Sequence, residues 1–321
     1  MKRLALMFAC CCGLLSVAAE AQTFPSKPMR FIVPYPAGGA VDILARALGQ
    51  KLTEAWGQPV VVDNRSGAGG MIGTELIAKA PLDGHTIGLA HAGPLAINPS
   101  LYKKLPYSPG SDFAYITLMG RQENMVVVHP SLPVKSIREL IELARAKPGQ
   151  ITIGSGGSGT GSHLAGEMFV SMTGTKMLHV PYKGNAPSVV ALLAGEVQVM
   201  FPTILTVKPH IEAGRLRGLA VTTEKRVAAM PDLPTVAEAG VPGYESSIWF
   251  GAMGPAGMPA DVVQKLNAEI VRILAVPELK ASFVSQGLDI ETSSTDSFAK
   301  MVRAEQDKWA KVIRDAGIKA Q

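Results

Sequence analysis

The 321-residue chain is 47% hydrophobic and 18% charged, with a formal net charge of +5, so it is long enough to bury more than one core and only mildly basic. It contains no run of Lys and Arg and no basic stripe interleaved with aromatics, which argues against nucleic acid as a partner. All three cysteines, Cys10, Cys11 and Cys12, fall near the N-terminus, so the rest of the chain can form neither a disulfide nor a thiol nucleophile.

The N-terminus reads as a signal peptide over residues 1–21. Lys2 and Arg3 precede an apolar run from Leu4 to Ala19, and Ala19-Glu20-Ala21 offers small residues where a signal peptidase inspects them, predicting cleavage after Ala21. The run is short for a retained membrane anchor, and a lipoprotein would need its cysteine at the end of the run rather than in the middle. Loss of Lys2, Arg3 and Glu20 leaves a formal charge of about +4. An exported chain without cysteine fits the bacterial periplasm better than a disulfide-rich extracellular setting.

After this leader the pattern is strand, glycine-rich turn, helix, repeated. Arg30 to Val33 is a short apolar strand, and Val41, Leu44, Ala45, Leu48, Leu52 and Ala55 then form one helical stripe. Val60 to Val62 and Thr86 to Ala90 read as buried strands, with Gly67 to Gly70 opening the helix between them. A second group begins with Val126 to Val128, and Ser136 to Glu139 forms a capping box that opens a helix reaching Lys147. Strands follow at Ile151 to Gly154, Leu178 to Tyr182, Val197 to Phe201 and Leu216 to Val221. Two amphipathic helices, from Asp261 and from about Asp296, end the chain with little strand signal between them beyond Leu288 to Glu291. Alternation of this kind predicts an α/β fold with mostly parallel sheets. The terminal helices pack back on the first lobe, so the chain crosses between lobes near Asn124 and again near Trp249. The expected division is 22–123 plus 249–321 for lobe 1 and 124–248 for lobe 2, with a hinge and an inter-lobe ligand cleft at the carboxyl ends of the strands.

Two glycine loops carry the binding chemistry. Tyr35-Pro36-Ala37-Gly38-Gly39-Ala40-Val41-Asp42 leaves backbone N–H groups bare at a helix start, which suits a carboxylate or phosphate; alternatively Asp42 simply caps those amides. Gly154-Ser155-Gly156-Gly157-Ser158-Gly159-Thr160-Gly161-Ser162-His163 contains a literal G-x-G-x-x-G. The acidic partner expected at the end of the next strand is missing from Val180-Pro181-Tyr182-Lys183, so a compact anion fits this loop better than a dinucleotide. No G-x-S-x-G elbow, H-E-x-x-H or P-loop motif occurs, and no cofactor is implied. A serine hydrolase assembled from distant segments remains the enzymatic alternative. His91 follows a strand and falls either in the cleft or on the surface, while His129 and His210 adjoin prolines and read as structural. The methionines are scattered and read as core filler.

With these residues in hand, the sequence resembles the Bug-type periplasmic solute-binding receptors of tripartite tricarboxylate transporters. The resemblance rests on Val33-Pro34-Tyr35-Pro36-Ala37-Gly38-Gly39 with Asp42, on Gln58-Pro59-Val60-Val61-Val62-Asp63-Asn64-Arg65, and on Gly67-Ala68-Gly69-Gly70. It continues through Ala96-Ile97-Asn98-Pro99, Gly159-Thr160-Gly161-Ser162-His163-Leu164-Ala165-Gly166-Glu167 and His179-Val180-Pro181-Tyr182-Lys183-Gly184, and ends with Asp232 to Gly240 and Gly254 to Gly257. It implies a two-lobed periplasmic-binding-protein (type II) fold without catalysis, acting as a monomer with the membrane subunits of a transporter, or with a membrane sensor. It also implies that one ligand carboxylate is held between Ala37, Gly38 and Gly39 on one side and Thr160, Gly161 and Ser162 on the other, with Asp42 organising the first loop. Tyr35 and Ser155 join the candidate contacts from the same loops. His91 and Ala92 after one strand, and Pro202 after another, are expected to complete a variable pocket. Relatives often carry acidic residues where Gln198 and Pro202 stand, and more Ser, Thr or Asn where this chain has His91-Ala92-Gly93-Pro94. Loss of an acidic side chain facing the cleft disfavours an amino-bearing ligand and favours a wholly anionic or partly apolar acid.

Overall fold

The structure is a computed structural model that describes residues 24–38, 40–157, 159–182, 184–285, 288–315 and 317–318. The leader at 1–21 and Gly39 therefore lie outside the described residues. The first lobe is built on a six-stranded sheet of β1 (Met29–Val33), β2 (Val60–Asn64), β3 (Thr86–His91), β4 (Phe113–Gln122), β10 (Ile248–Pro255) and β11 (Leu288–Asp289). The spatial order is β11-β4-β10-β3-β1-β2. The second lobe carries β5 (Met125–Val128), β6 (Thr152–Ser155), β7 (Leu178–Pro181), β8 (Val199–Met200) and β9 (Arg217–Val221) in the order β7-β6-β8-β5-β9.

Helices α1 (Ala40–Trp56), α2 (Met71–Ala78), α3 (Asn98–Leu101), α8 (Ala260–Leu274), α9 (Pro277–Ser285) and α10 (Thr295–Asp315) belong to the first lobe. Helices α4 (Ile137–Ala146), α5 (Gly161–Thr173), α6 (Asn185–Ala194) and α7 (Ile204–Glu212) belong to the second. The predicted stripe of α1 is real: Leu44, Ala45, Leu48 and Leu52 are fully buried beside Phe31, Ile87 and Leu89. On α10 the buried face is Phe298, Val302, Trp309 and Ile313, packed with Ile32, Leu95 and Trp249. The second lobe has its own cores, around Val126, Ile153, Phe169 and Phe201 on one side of its sheet and Val127, Leu192 and Val207 on the other. At α4, Ser136 accepts from the Glu139 N–H at 3.2 Å, and the Glu139 carboxylate reaches back to Lys135 N at 2.7 Å, one residue before the cap.

The sheets are mixed rather than mostly parallel. β10 runs antiparallel to both β3 and β4, and β5 runs antiparallel to β8 and β9. The reason is the connectivity. The chain leaves the first sheet through β4 and enters the second through β5 with only two residues between them, then returns through β10, and these segments lie beside strands made by βα units. Trp249, expected near the second crossing, is the second residue of β10, fully buried, and its Nε1 donates to Glu305 at 3.3 Å.

Candidate ligand cleft

A cavity of about 700 Å³ opens between the lobes, at the carboxyl ends of β1, β3, β6 and β8. Tyr35, Pro36, Ala37, Val41, His91 and Asn98 line it from the first lobe, and Gly156, Gly159, Thr160, Gly161, Ser162 and Asn185 from the second. Gln122 and Asn124 form its floor where the chain crosses. Among the described residues, no Asp, Glu, Lys or Arg lines it.

The first loop is set by Asp42. This carboxylate is 2% exposed, accepts the Gly38 N–H at 2.8 Å and the Asn64 amide at 2.9 Å, and pairs with Arg46 at 3.0 Å. Burial works against its ionisation, but the bonds from Arg46, Gly38 and Asn64 outweigh it and hold its pKa below the usual value. Asn64 also donates to the Tyr35 carbonyl at 3.1 Å, so β2 braces the loop that β1 launches. Neither Gly38 nor Asp42 lines the cavity: Asp42 spends the Gly38 amide, as a cap would. Tyr35, Pro36 and Ala37 carry this wall instead. Asp42→Ala removes the acceptor of the Gly38 N–H and one of the two acceptors of the Asn64 amide. It is expected to lower stability by about 1–3 kcal/mol in denaturant titrations, while Asp42→Asn, which keeps one acceptor, loses less.

The second loop is packed tightly from behind. Thr160 caps α5, accepting the His163 N–H at 3.4 Å and donating to the Gly157 carbonyl at 2.7 Å. Ser162 Oγ accepts the Gly156 N–H at 3.1 Å and lies 3.1 Å from Thr160 Oγ1. The N–H groups of Gly161 and Ser162, in the first turn of α5, have no acceptor among the described residues, and the positive end of the helix adds to their field. The glycines let the lobes approach. A Cβ on Gly159 would come within 2.8 Å of Leu101, and one on Gly161 would collide with Ile248, both of the first lobe.

Beneath this loop His163 and His179 stack with ring centroids 3.9 Å apart. His163 Nδ1 accepts the Gly159 N–H at 3.1 Å, which fixes the proton on Nε2, 3.5 Å from Glu167. His163, Glu167 and His179 group three potential metal ligands, but this tautomer leaves His163 no free lone pair to offer. Burial first, and then His163, push the His179 pKa down to about 4. Ser155 Oγ lies 2.6 Å from His179 Nε2 and accepts the Gly157 N–H at 3.1 Å. Such a Ser–His contact is what the hydrolase alternative needs, yet Ser155 is fully buried and faces away from the cavity, where no substrate reaches its hydroxyl.

Besides Gly38, three further expected contacts are placed elsewhere. Ser155 supports the second loop from inside, and Ala92 is fully buried between His91 and Gly93, which do line the cavity. Pro202 is buried with its carbonyl accepting Met125 N at 3.0 Å, so Phe201 and Thr203 on either side face the cleft in its stead. Gln198, expected to face the cleft, accepts the Thr152 N–H at 2.9 Å and ties β8 to β6. Conversely, Asn98, Gln122, Asn124 and Asn185 line the cleft without having been singled out by the sequence reading. Asn98 and Asn185 stood inside quoted or neighbouring motif segments, whereas neutral amides at element ends carry no periodic signal.

Comparison with known proteins agrees with this geometry. The family model described as tripartite tricarboxylate transporter family receptor matches residues 44–318. The protein BugT of Bordetella pertussis is 36% identical over 306 residues, covering 95% of this chain and 94% of BugT. The R. palustris protein Rpa4515, solved with adipate, superposes with a TM-score of 0.83 at 38% identity, over 93% of this chain and 100% of its own. The periplasmic binding protein BugD gives 0.79 at 35% identity, over 93% and 100%. Fold, cleft and sequence together identify the chain as a two-lobed solute-binding protein, a member of the tripartite tricarboxylate transporter receptor family.

Proposed function

We propose that this protein is a periplasmic, non-catalytic receptor that closes its lobes on a small organic acid and delivers it to the membrane subunits of a tripartite transporter. The observation that carries the reading is that, among the described residues, the Gly161 and Ser162 amides at the N-terminus of α5 have no acceptor and face Pro36 and Ala37 across a cavity lined by no charged side chain. A carboxylate there is held by neutral dipoles, and only closure brings both loops onto it, so binding shifts the balance toward the closed form. The lobes are 22–123 with 249–321 and 124–248, the hinge lies at the two crossings, and export follows cleavage after Ala21. Absence of an acidic side chain among the described lining residues disfavours a ligand whose amine must be buried. Among the described residues no helix is long and apolar enough to cross a membrane. Delivery to a membrane sensor is the second reading, and co-purification with membrane subunits separates the two.

The test is thermal denaturation of refolded, ligand-stripped protein against aliphatic and aromatic mono-, di- and tricarboxylates. At a hundredfold excess over Kd, a true ligand is expected to raise Tm by roughly 5 °C. A flat response across the whole panel would sink the proposal.

A further inference from the structure

His91 stands on the first-lobe wall at the end of β3, and its hydrogen bonds leave only one tautomer. The Gly93 backbone N–H, which can only donate, points at Nδ1 from 3.1 Å, and the Tyr35 hydroxyl lies 2.8 Å from the same atom. Nδ1 is therefore an acceptor, and in the neutral ring the proton sits on Nε2. The ring is held in place by Tyr35, its centroid 4.7 Å away, and burial pushes its pKa down to about 4, so it stays neutral across the physiological range. Among the described residues Nε2 has no partner, although His91 lines the cavity.

One oriented donor on this wall, with no Lys or Arg among the described lining residues, defines what it can read. A buried N–H left unpaired penalises a ligand that offers it only carbon, and an ammonium group would meet a donor instead of an acceptor. We propose that His91, through Nε2–H, determines specificity by reading a second hydrogen-bond acceptor of the ligand. The ligand class is then an organic acid carrying a further carboxylate, keto or hydroxyl oxygen, not a plain monoacid and not an amino acid. This rests on the receptor reading above and narrows it. Tyr35 and Gly93 act as positioning groups, since they set the tautomer.

The experiment has two arms. Long-range ¹⁵N–¹H correlation on the ligand-free protein is expected to show His91 protonated at Nε2 and unchanged from pH 8 to pH 5. A proton on Nδ1 overturns the proposal whatever the protein binds. Calorimetry then compares matched pairs: adipate with hexanoate, succinate with butyrate, and terephthalate with benzoate. For the pair that fits the cavity, the acid with the second acceptor is expected to bind at least tenfold tighter. His91→Phe should reduce that preference to below threefold, and His91→Gln, which restores an N–H donor, should recover much of it. A preference that is missing in the parent protein, or that survives His91→Phe, refutes the role of His91 while leaving a carboxylate receptor intact. If no member of any pair binds, the receptor reading itself falls and takes this proposal with it.

Discussion

Replacing Glu305 with alanine is expected to lower folding stability by about 3–5 kcal/mol, because it strands several buried donors at once. Glu305 is 9% exposed on α10. One carboxylate oxygen accepts both indole N–H groups, Trp249 at 3.3 Å and Trp309 at 3.1 Å, and the other pairs with Lys308 Nζ at 2.8 Å. Lys308 in turn holds Glu245 at 2.6 Å, in the segment that leads the chain back from the second lobe into β10. Burial opposes the charge on Lys308, but Glu245 and Glu305 outweigh it and keep its pKa above the ordinary lysine value. Alanine at 305 leaves two indoles without an acceptor in the core and weakens a cation that the return crossing uses. Glu305→Gln keeps an acceptor for the indoles and is expected to cost about half as much. Urea unfolding at pH 7 measures both. A loss below about 0.5 kcal/mol for Glu305→Ala would mean that the indoles and Lys308 find other partners on relaxation.

Much of this architecture was legible in the residues, because burial on one face leaves a period. The α1 stripe, the α10 stripe and the runs at β1, β3 and β5 all appear where apolar spacing put them. What escaped has physical causes. Phe113 to Gln122 mixes Tyr, Thr, Gly and Arg because β4 lies between β10 and a two-residue edge strand, so its sequence shows no clean alternation. β10 is buried throughout, and its glycines fit where neighbours press in: a Cβ on Gly251 would strike Phe298. α9 has no strong apolar face to betray it, since most of its residues are exposed. At the site, the two glycine loops were visible because free amides at helix starts need small residues. Asp42 was expected to cap and organise the first loop, and it does, but the work of Ser155 and Gln198 was not visible, because whether a polar side chain faces a cavity or a neighbouring strand depends on the pairing of distant segments.

Glu123→Gln is expected to raise stability by roughly 3 kcal/mol at pH 8 and by very little below pH 4.5. Glu123 sits in the first crossing between Gln122 and Asn124. Those two neighbours face the ligand cleft, whereas Glu123, with Arg121, lines a second recess of about 860 Å³ between the lobes. Its side chain is buried with Asp289 of β11 nearby, while Arg121 is turned to Glu291 at 2.9 Å and Glu245 to Lys308. Burial first, and then Asp289, push its pKa up to about 7. The unfolded carboxyl ionises near 4.5, so folding holds the proton more tightly. The stability this gives is fully present below pH 4.5 and lost as pH rises through 7. His91 and His179, both lowered from 6.5 to about 4, act in the opposite sense: their contribution is complete above pH 6.5 and falls away as pH drops toward 4. Between pH 4.5 and 6.5 the parent protein thus sets two histidines against one carboxyl. Removing the carboxyl leaves the histidines unopposed, so the acid-side decline of Glu123→Gln should be steeper by about 1.4 kcal/mol per pH unit. Chemical denaturation at half-unit steps from pH 4 to pH 8.5 resolves the two slopes. Parallel stability curves for the variant and the parent would show that Glu123 titrates in the crossing as it does in the unfolded chain.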